Sequence, residues 1–323
     1  MEFKRILVAI ADCEARNTAA LSKATAIARK TGATVTLFHS LYNPEIAGEG
    51  LLGPDTLERD IEAAVCARKK LLGRAAEALA RAGIRARLRV RWDYPVHESI
   101  VREVLREKSD LVVAESHRHT RLARAVLSNT DWQLIRLCPC PVLFVKTARP
   151  YDRARVLAAV DPMHAHAKPA ALDADVLRMA DALARAFSGR LHAAHVYQLA
   201  TPFTAGVLME PVPLPVNVSQ RQLERIRGEF EALVGPYGLP AARRHLRAGG
   251  AAPELVALAN RLDAGVVVMG AISRSGVKRL FVGHTAERVI DRLGCDVLVL
   301  KPAGFRSPVP RRGSLRPVVL PPI

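Results

Sequence analysis

From Asp110 to Lys146 the chain aligns without a gap onto Gly265 to Lys301, at a constant offset of 155. Thr130 falls on Thr285, Cys140 on Cys295 and Lys146 on Lys301. A gapless match that joins the same kinds of segment in the same order is the mark of an internal duplication. It restricts the chain to folds that can be built twice. The 323 residues suit two domains of ordinary size, each with its own core. The expected division is residues 1–149, residues 150–302, and a tail at 303–323. Rich in proline and arginine, the tail reads as a disordered extension that could touch an anionic partner.

Each half alternates strand-like and helix-like segments. In the first half, Ile6–Ile10 is an apolar run with no alternation, as in a parallel strand buried on both faces. A helix is expected from about Glu14 to Lys30, stopped by Gly32, then a strand at Thr34–His39. A long helix follows at Pro54–Arg81, then strands at Arg85–Arg91, Leu111–Ala114 and Val142–Val145, with helical stretches between them. The second half repeats the scheme: strands at Arg155–Val160, Leu191–Val196, Arg243–Arg247, Val266–Met269 and Asp296–Leu300, with helices at 219–234 and Pro253–Arg261. This is the doubly wound α/β pattern, twice.

The stretch Val266–Lys301 bears most on function. A buried strand breaks at Gly270 into a loop holding Ser273, Arg274, Ser275 and Gly276. After Gly283 a helix begins near Thr285 and leads to the last strand. Strand, glycine-punctuated loop and helix N-terminus together can hold a phosphate.

Composition excludes other classes. The longest apolar runs are strand-length, so no membrane span is expected. The amino terminus lacks the long apolar core and cleavage site of a secretory signal, so the protein reads as cytoplasmic. The five cysteines show no framework spacing. Cys138 and Cys140 precede a buried strand and read as small apolar side chains. The net charge of +17 is spread over both halves and the tail, which favours anionic partners without naming one. Arg85, Arg87, Arg89 and Arg91 share one face of a strand, about 6–7 Å apart. They could track a phosphate backbone, but a charged edge strand that resists sheet-to-sheet pairing is the preferred reading. With 5% aromatic residues, few side chains could stack on bases, which disfavours nucleic acid.

With these residues in view, the chain resembles a tandem universal stress protein, and most closely the two-domain, E-type members. The resemblance covers residues 3–302. It implies two tandem doubly wound, parallel five-stranded sheets of the adenine nucleotide alpha hydrolase-like kind, with strand order 3-2-1-4-5. It also implies a pseudo-dimer within one chain, with Leu143–Lys146 meeting Leu298–Lys301, and leaves room for a homodimer beyond it. In nucleotide-binding members, a Gly, two residues, a second Gly, nine residues and then Gly with Ser or Thr hold ribose and phosphates, and an Asp closes the first strand. Here the second half offers Gly270, Ser273 in place of the second Gly, Gly283, then His284 and Thr285. Asp161 matches the Asp. The residues expected to contact ATP, with magnesium, are Asp161, Val196, Met269, Gly270, Ser273, Gly283, His284 and Thr285.

If the loop is left-handed at Ser273, its Cβ costs about 1–2 kcal/mol, which weakens binding without forbidding it. The first half departs further. The offset puts Glu115 at Gly270, Arg118 at Ser273 and Ser128 at Gly283, and Ala11 replaces Asp161. A carboxylate about 4 Å from a phosphate repels it by roughly 4 kcal/mol at an effective dielectric near 20. No nucleotide is expected in the first domain.

Two other groupings hold metal-ligand residue types, Glu115 with His117 and His119, and His164 with His166. Both read more simply as polar loops. No nucleophile elbow, motif Cys–His pair or spaced carboxylate pair is present, so there is no positive argument for an enzyme. The proline-rich loop 199–218 carries Phe203, Val207, Leu208, Met209 and Leu214, unusually apolar for a loop so long. Three readings therefore stand: a non-enzymatic stress-response protein binding a nucleotide, a binding module for an apolar or acyl-bearing small molecule under that loop, and a basic scaffold for nucleic acid or an acidic protein.

Overall fold

The computed structural model describes residues 3–15, 18–43, 54–115, 124–163, 170–198, 216–271 and 284–313. Met1–Pro150 and Gly304–Ile323 form one unit, Tyr151–Ala303 the other. The first unit runs β1 (Arg5–Ala9), α1 (Ala19–Thr31), β2 (Thr34–Leu41), α2 (Pro54–Arg81), β3 (Ala86–Trp92), α3 (Val96–Glu107), β4 (Leu111–Glu115), α4 (Arg124–Leu137) and β5 (Val142–Val145). The second runs β6 (Arg155–Ala159), α5 (Ala170–Ala186), β7 (Arg190–Tyr197), α6 (Val216–Val234), β8 (Arg244–Ala248), α7 (Ala251–Arg261), β9 (Ala264–Gly270), α8 (His284–Arg292) and β10 (Asp296–Leu300). Each unit is an α/β fold on a parallel five-stranded sheet, ordered β3-β2-β1-β4-β5 in the first and β8-β7-β6-β9-β10 in the second. Both orders are 3-2-1-4-5. Right-handed crossovers put the first two helices of each unit on one face and the last two on the other.

The duplication is visible in strand register. Glu115 pairs with Val145 in the first unit, and Gly270 pairs with Leu300 in the second, each 155 residues on. Ile6 pairs with Leu111, and Val156 with Val266. The central strands carry the cores: Ile6, Leu7, Val8, Val112 and Val113 in one unit, and Leu157, Ala158, Val266, Val267 and Val268 in the other, have no exposed surface. Burial on both faces accounts for the unbroken apolar runs. Cys138 and Cys140 are buried 3.7 Å apart at sulfur, packed as apolar groups. Their mutual hydrogen bond, with burial, raises the Cys140 thiol pKa.

Three expectations change. The first helix begins at Ala19 rather than Glu14, because the Thr18 hydroxyl accepts from the Leu21 N–H at 3.1 Å and caps it. The loop expected at 199–218 ends earlier, since Val216 already opens α6, and residues 199–215 lie outside the described residues. The tail, expected to extend freely, packs over 304–313 with the first unit. Val309 is 7% exposed there, and Arg106 donates to the Arg311 carbonyl at 3.4 Å.

β3 is an edge strand, as expected, and its arginines, though still partly exposed, are held in ion pairs. Arg87 and Arg89 donate to Glu107 at 3.0 and 2.8 Å, and Arg91 donates to the fully buried Glu103 at 3.1 Å. Two glutamates of α3 thus pair with three of the ladder's four arginines and offset half of its charge. In the second unit the equivalent face carries Arg247 paired with Glu254 at 3.2 Å, and His245. His245 stacks on His192, with ring nitrogens 3.1 Å apart.

Burial, the neighbouring His245 and the arginines 243, 155 and 190 lower the His192 pKa from 6.5 to about 4. The unfolded chain therefore takes up this proton at a higher pH than the folded one. Stability is complete above pH 6.5 and falls as pH drops from 6.5 towards 4, by at most about 3 kcal/mol from this residue. Both tryptophans, Trp92 and Trp132, lie in the first unit. On acid titration of the full chain the far-UV circular dichroism midpoint should therefore lie at a higher pH than the tryptophan one. His192→Gln should remove much of that gap, and an unchanged gap would count against the assignment.

Candidate functional site

In a doubly wound sheet the strand order reverses between the first and fourth strands, and ligands bind in the crevice beyond their carboxyl ends. In the second unit those strands are β6 and β9, paired through Ala159 and Met269. β6 runs out through Val160 to Asp161, and β9 ends at Gly270. Asp161 and Gly270 therefore close two adjacent strands at the crevice. Met269 is buried against β10, pairing with Val299. Ala271 is fully buried and donates to the Leu300 carbonyl at 2.8 Å, which carries the backbone one residue past Gly270 before residues 272–283. Val196 lies on β7, on the far side of β6, opposite Arg247. His284 and Thr285 open α8. Ser273 and Gly283 lie outside the described residues. The two histidine groupings share that position at His117, His119, His164 and His166. Among the described residues no group of three or more metal-ligand side chains comes together.

Two side chains that sequence reasoning passed over fix Asp161. Its backbone N–H donates to Oδ1 of Asp173 at 3.1 Å, and Asp173 is 1% exposed near the start of α5. His195 of β7 is buried, with Nδ1 3.1 Å from the Val160 carbonyl and 3.9 Å from Asp161 Oδ1. A carbonyl can only accept, so Nδ1 carries the proton and donates. Asp161 is thereby held with its carboxylate partly exposed at the crevice, where it can accept from ligand hydroxyl or amino groups.

The first unit repeats the histidine without the Asp. His39 of β2 donates from Nδ1 to the Ile10 carbonyl at 2.8 Å, and burial lowers its pKa. The contact thus recurs at the same register in both units. Beyond Ile10 stands Ala11, and β4 ends on Glu115. Here the crevice presents a carboxylate at the strand end where the second unit presents a bare backbone.

Comparison with known proteins agrees with this geometry. The universal stress protein family matches residues 2–146 and again 153–301. Universal stress protein E of Escherichia coli K12 is 30% identical over 296 residues, covering 90% of this chain and 92% of that one. Its namesake in Photorhabdus laumondii is 28% identical over 309 residues, covering 95% and 98%. Among solved structures, protein PA1789 of Pseudomonas aeruginosa PAO1, described as functionally unknown, superposes with a TM-score of 0.71 at 27% identity over 93% of each chain. A universal stress protein from Archaeoglobus fulgidus shares the fold, with a TM-score of 0.63 at 17% identity, over 92% of this chain and 98% of that one. No described helix is long and apolar enough to cross a membrane. With the fold, the strand order, the crevice and two family matches in agreement, the chain belongs to the universal stress protein family, as a tandem, two-domain member.

Proposed function

We propose that this is a non-enzymatic, cytoplasmic stress-response protein whose second domain binds ATP with magnesium and whose first domain does not. The observation that carries the reading is the repeated register at the end of the fourth strand. Gly270 leaves the backbone open there, whereas Glu115 fills the same place in the first unit with a carboxylate. Asp161 suits ribose or base, being an acceptor held at the crevice by its own N–H. The N-terminus of α8, at His284 and Thr285, suits phosphate, since the first N–H groups of a helix have no partners within it. Val196 and Met269 would flank the base, and Ser273 and Gly283 complete the motif.

Nucleotide-free protein should show a saturable rise in melting temperature with ATP and magnesium. At a concentration one hundred times Kd the gain is about 2.7 kcal/mol, a shift of several degrees. No shift at millimolar nucleotide would end this reading.

A further inference from the structure

The first domain lacks the nucleotide features but contains a cavity of about 720 Å3, beyond the carboxyl ends of β1, β2 and β3 and beside α2. That volume suits a small organic ligand. Asp12, Glu14, His39, Tyr42, Arg68 and Tyr94 are among its walls. Three properties of the walls narrow what could enter.

The first property is aromatic. Tyr42 has two ring neighbours, both tilted against it, Tyr94 at 5.0 Å and Trp92 at 5.8 Å. Tyr94 is 46% exposed and Val96 39%, and these two large apolar side chains on the described surface both line the cavity. Tyr94, held by the tilted contact with Tyr42 and 46% exposed, offers a face for a planar ring.

The second is charge. Among the described wall residues, Asp12 and Glu14 bring two negative charges against the one positive charge of Arg68. In a chain of net charge +17 that is a local reversal of sign. Burial keeps His39 neutral at pH 7, so it adds no positive charge. The third is hydrogen-bonding polarity. With Nδ1 of His39 donating to Ile10, Nε2 is left as an acceptor, alongside two carboxylates. Such walls repel phosphates and carboxylates and attract donors.

We propose that this cavity is a second, independent ligand site, selective for a planar aromatic amine. The ring stacks on Tyr42 and Tyr94, and the ammonium group faces Asp12 and Glu14, with the tyrosine faces adding cation–π attraction. The site does not depend on the nucleotide reading of the second domain, since it shares no residue with it.

Tryptamine is a direct probe, and indole-3-propionate presents the same ring on a side chain of similar length with the opposite charge. In calorimetric titration of the full chain, tryptamine should bind at one saturable site at least about tenfold more tightly than indole-3-propionate. Tyr42→Ala with Tyr94→Ala should weaken tryptamine at least about tenfold at an unchanged far-UV spectrum. Asp12→Asn with Glu14→Gln, both at exposed positions, should bring the two probes to similar affinity. Gly270→Glu should leave tryptamine binding unchanged, which separates this site from the second domain. Equal or tighter binding of indole-3-propionate, insensitivity to the tyrosine substitutions, or the absence of a saturable tryptamine signal would each overturn the proposal.

Discussion

Gly270→Glu is expected to weaken ATP binding by about a thousandfold. The substitution writes the residue of the first domain into the second at the same register: Glu115 closes β4 opposite Val145, as Gly270 closes β9 opposite Leu300. A carboxylate about 4 Å from a phosphate costs roughly 4 kcal/mol at an effective dielectric of 20, and each 1.4 kcal/mol is a factor of ten. Because Glu115 already ends an intact strand, the new side chain should be accepted by the sheet, and the melting temperature without ligand should change little. The reverse change, Glu115→Gly, should not create a first-domain site, since Ala11 still stands where the second domain has Asp161. Calorimetric titration measures both. A loss below about tenfold in Gly270→Glu would show that phosphates do not approach this strand end.

The largest stability effect is expected at Asp93. Its carboxylate accepts two hydrogen bonds from Arg102, at 2.8 Å each, and the Arg102 side chain is 2% exposed. The remaining ionic partner, Glu98, holds Arg102 at 2.8 Å from a more exposed position. Removing one partner of a buried pair leaves an uncompensated charge, at a cost of about 3–5 kcal/mol. Asp93→Ala should therefore destabilise the first unit by about 3 kcal/mol, the lower end of that range because Glu98 stays. Asp93→Asn keeps an acceptor and should cost less. Trp92 is the neighbouring residue, so urea unfolding followed by tryptophan fluorescence reports this unit directly. A change under about 1 kcal/mol would mean that Glu98 and the Tyr94 carbonyl suffice to hold the guanidinium.

Periodicity and the repeat made the strands and most helices legible, because burial on both faces leaves an unbroken apolar run that nothing else in the chain imitates. Helix starts were less so. Glu14 looked like a beginning, yet capping chemistry favours Thr18, and a charge near a helix start is weaker than a made hydrogen bond. The arginines of β3 announced their alternation but not their partners. Glu103 and Glu107 lie on the following helix, α3, and only the crossover brings them over the strand. Proline and arginine marked the tail as a free extension by composition, and composition does not register the burial of one Val309. At the candidate site, the glycine-punctuated loop after β9 was visible in the sequence, and Asp161 came only through the family resemblance. Asp173 and His195 were not legible, since each acts through one backbone group that has no sequence signature. The first-domain cavity was hidden for a similar reason: Asp12, Tyr42, Arg68 and Tyr94 come from four segments that only the sheet gathers.

The division of labour between the two domains is the central claim, and the stoichiometry of nucleotide binding tests it most directly. Calorimetric titration of the nucleotide-free full chain with ATP and magnesium should give one site per chain, lost in Gly270→Glu and kept in Tyr42→Ala with Tyr94→Ala. Two sites per chain, or one that survives Gly270→Glu, would contradict it.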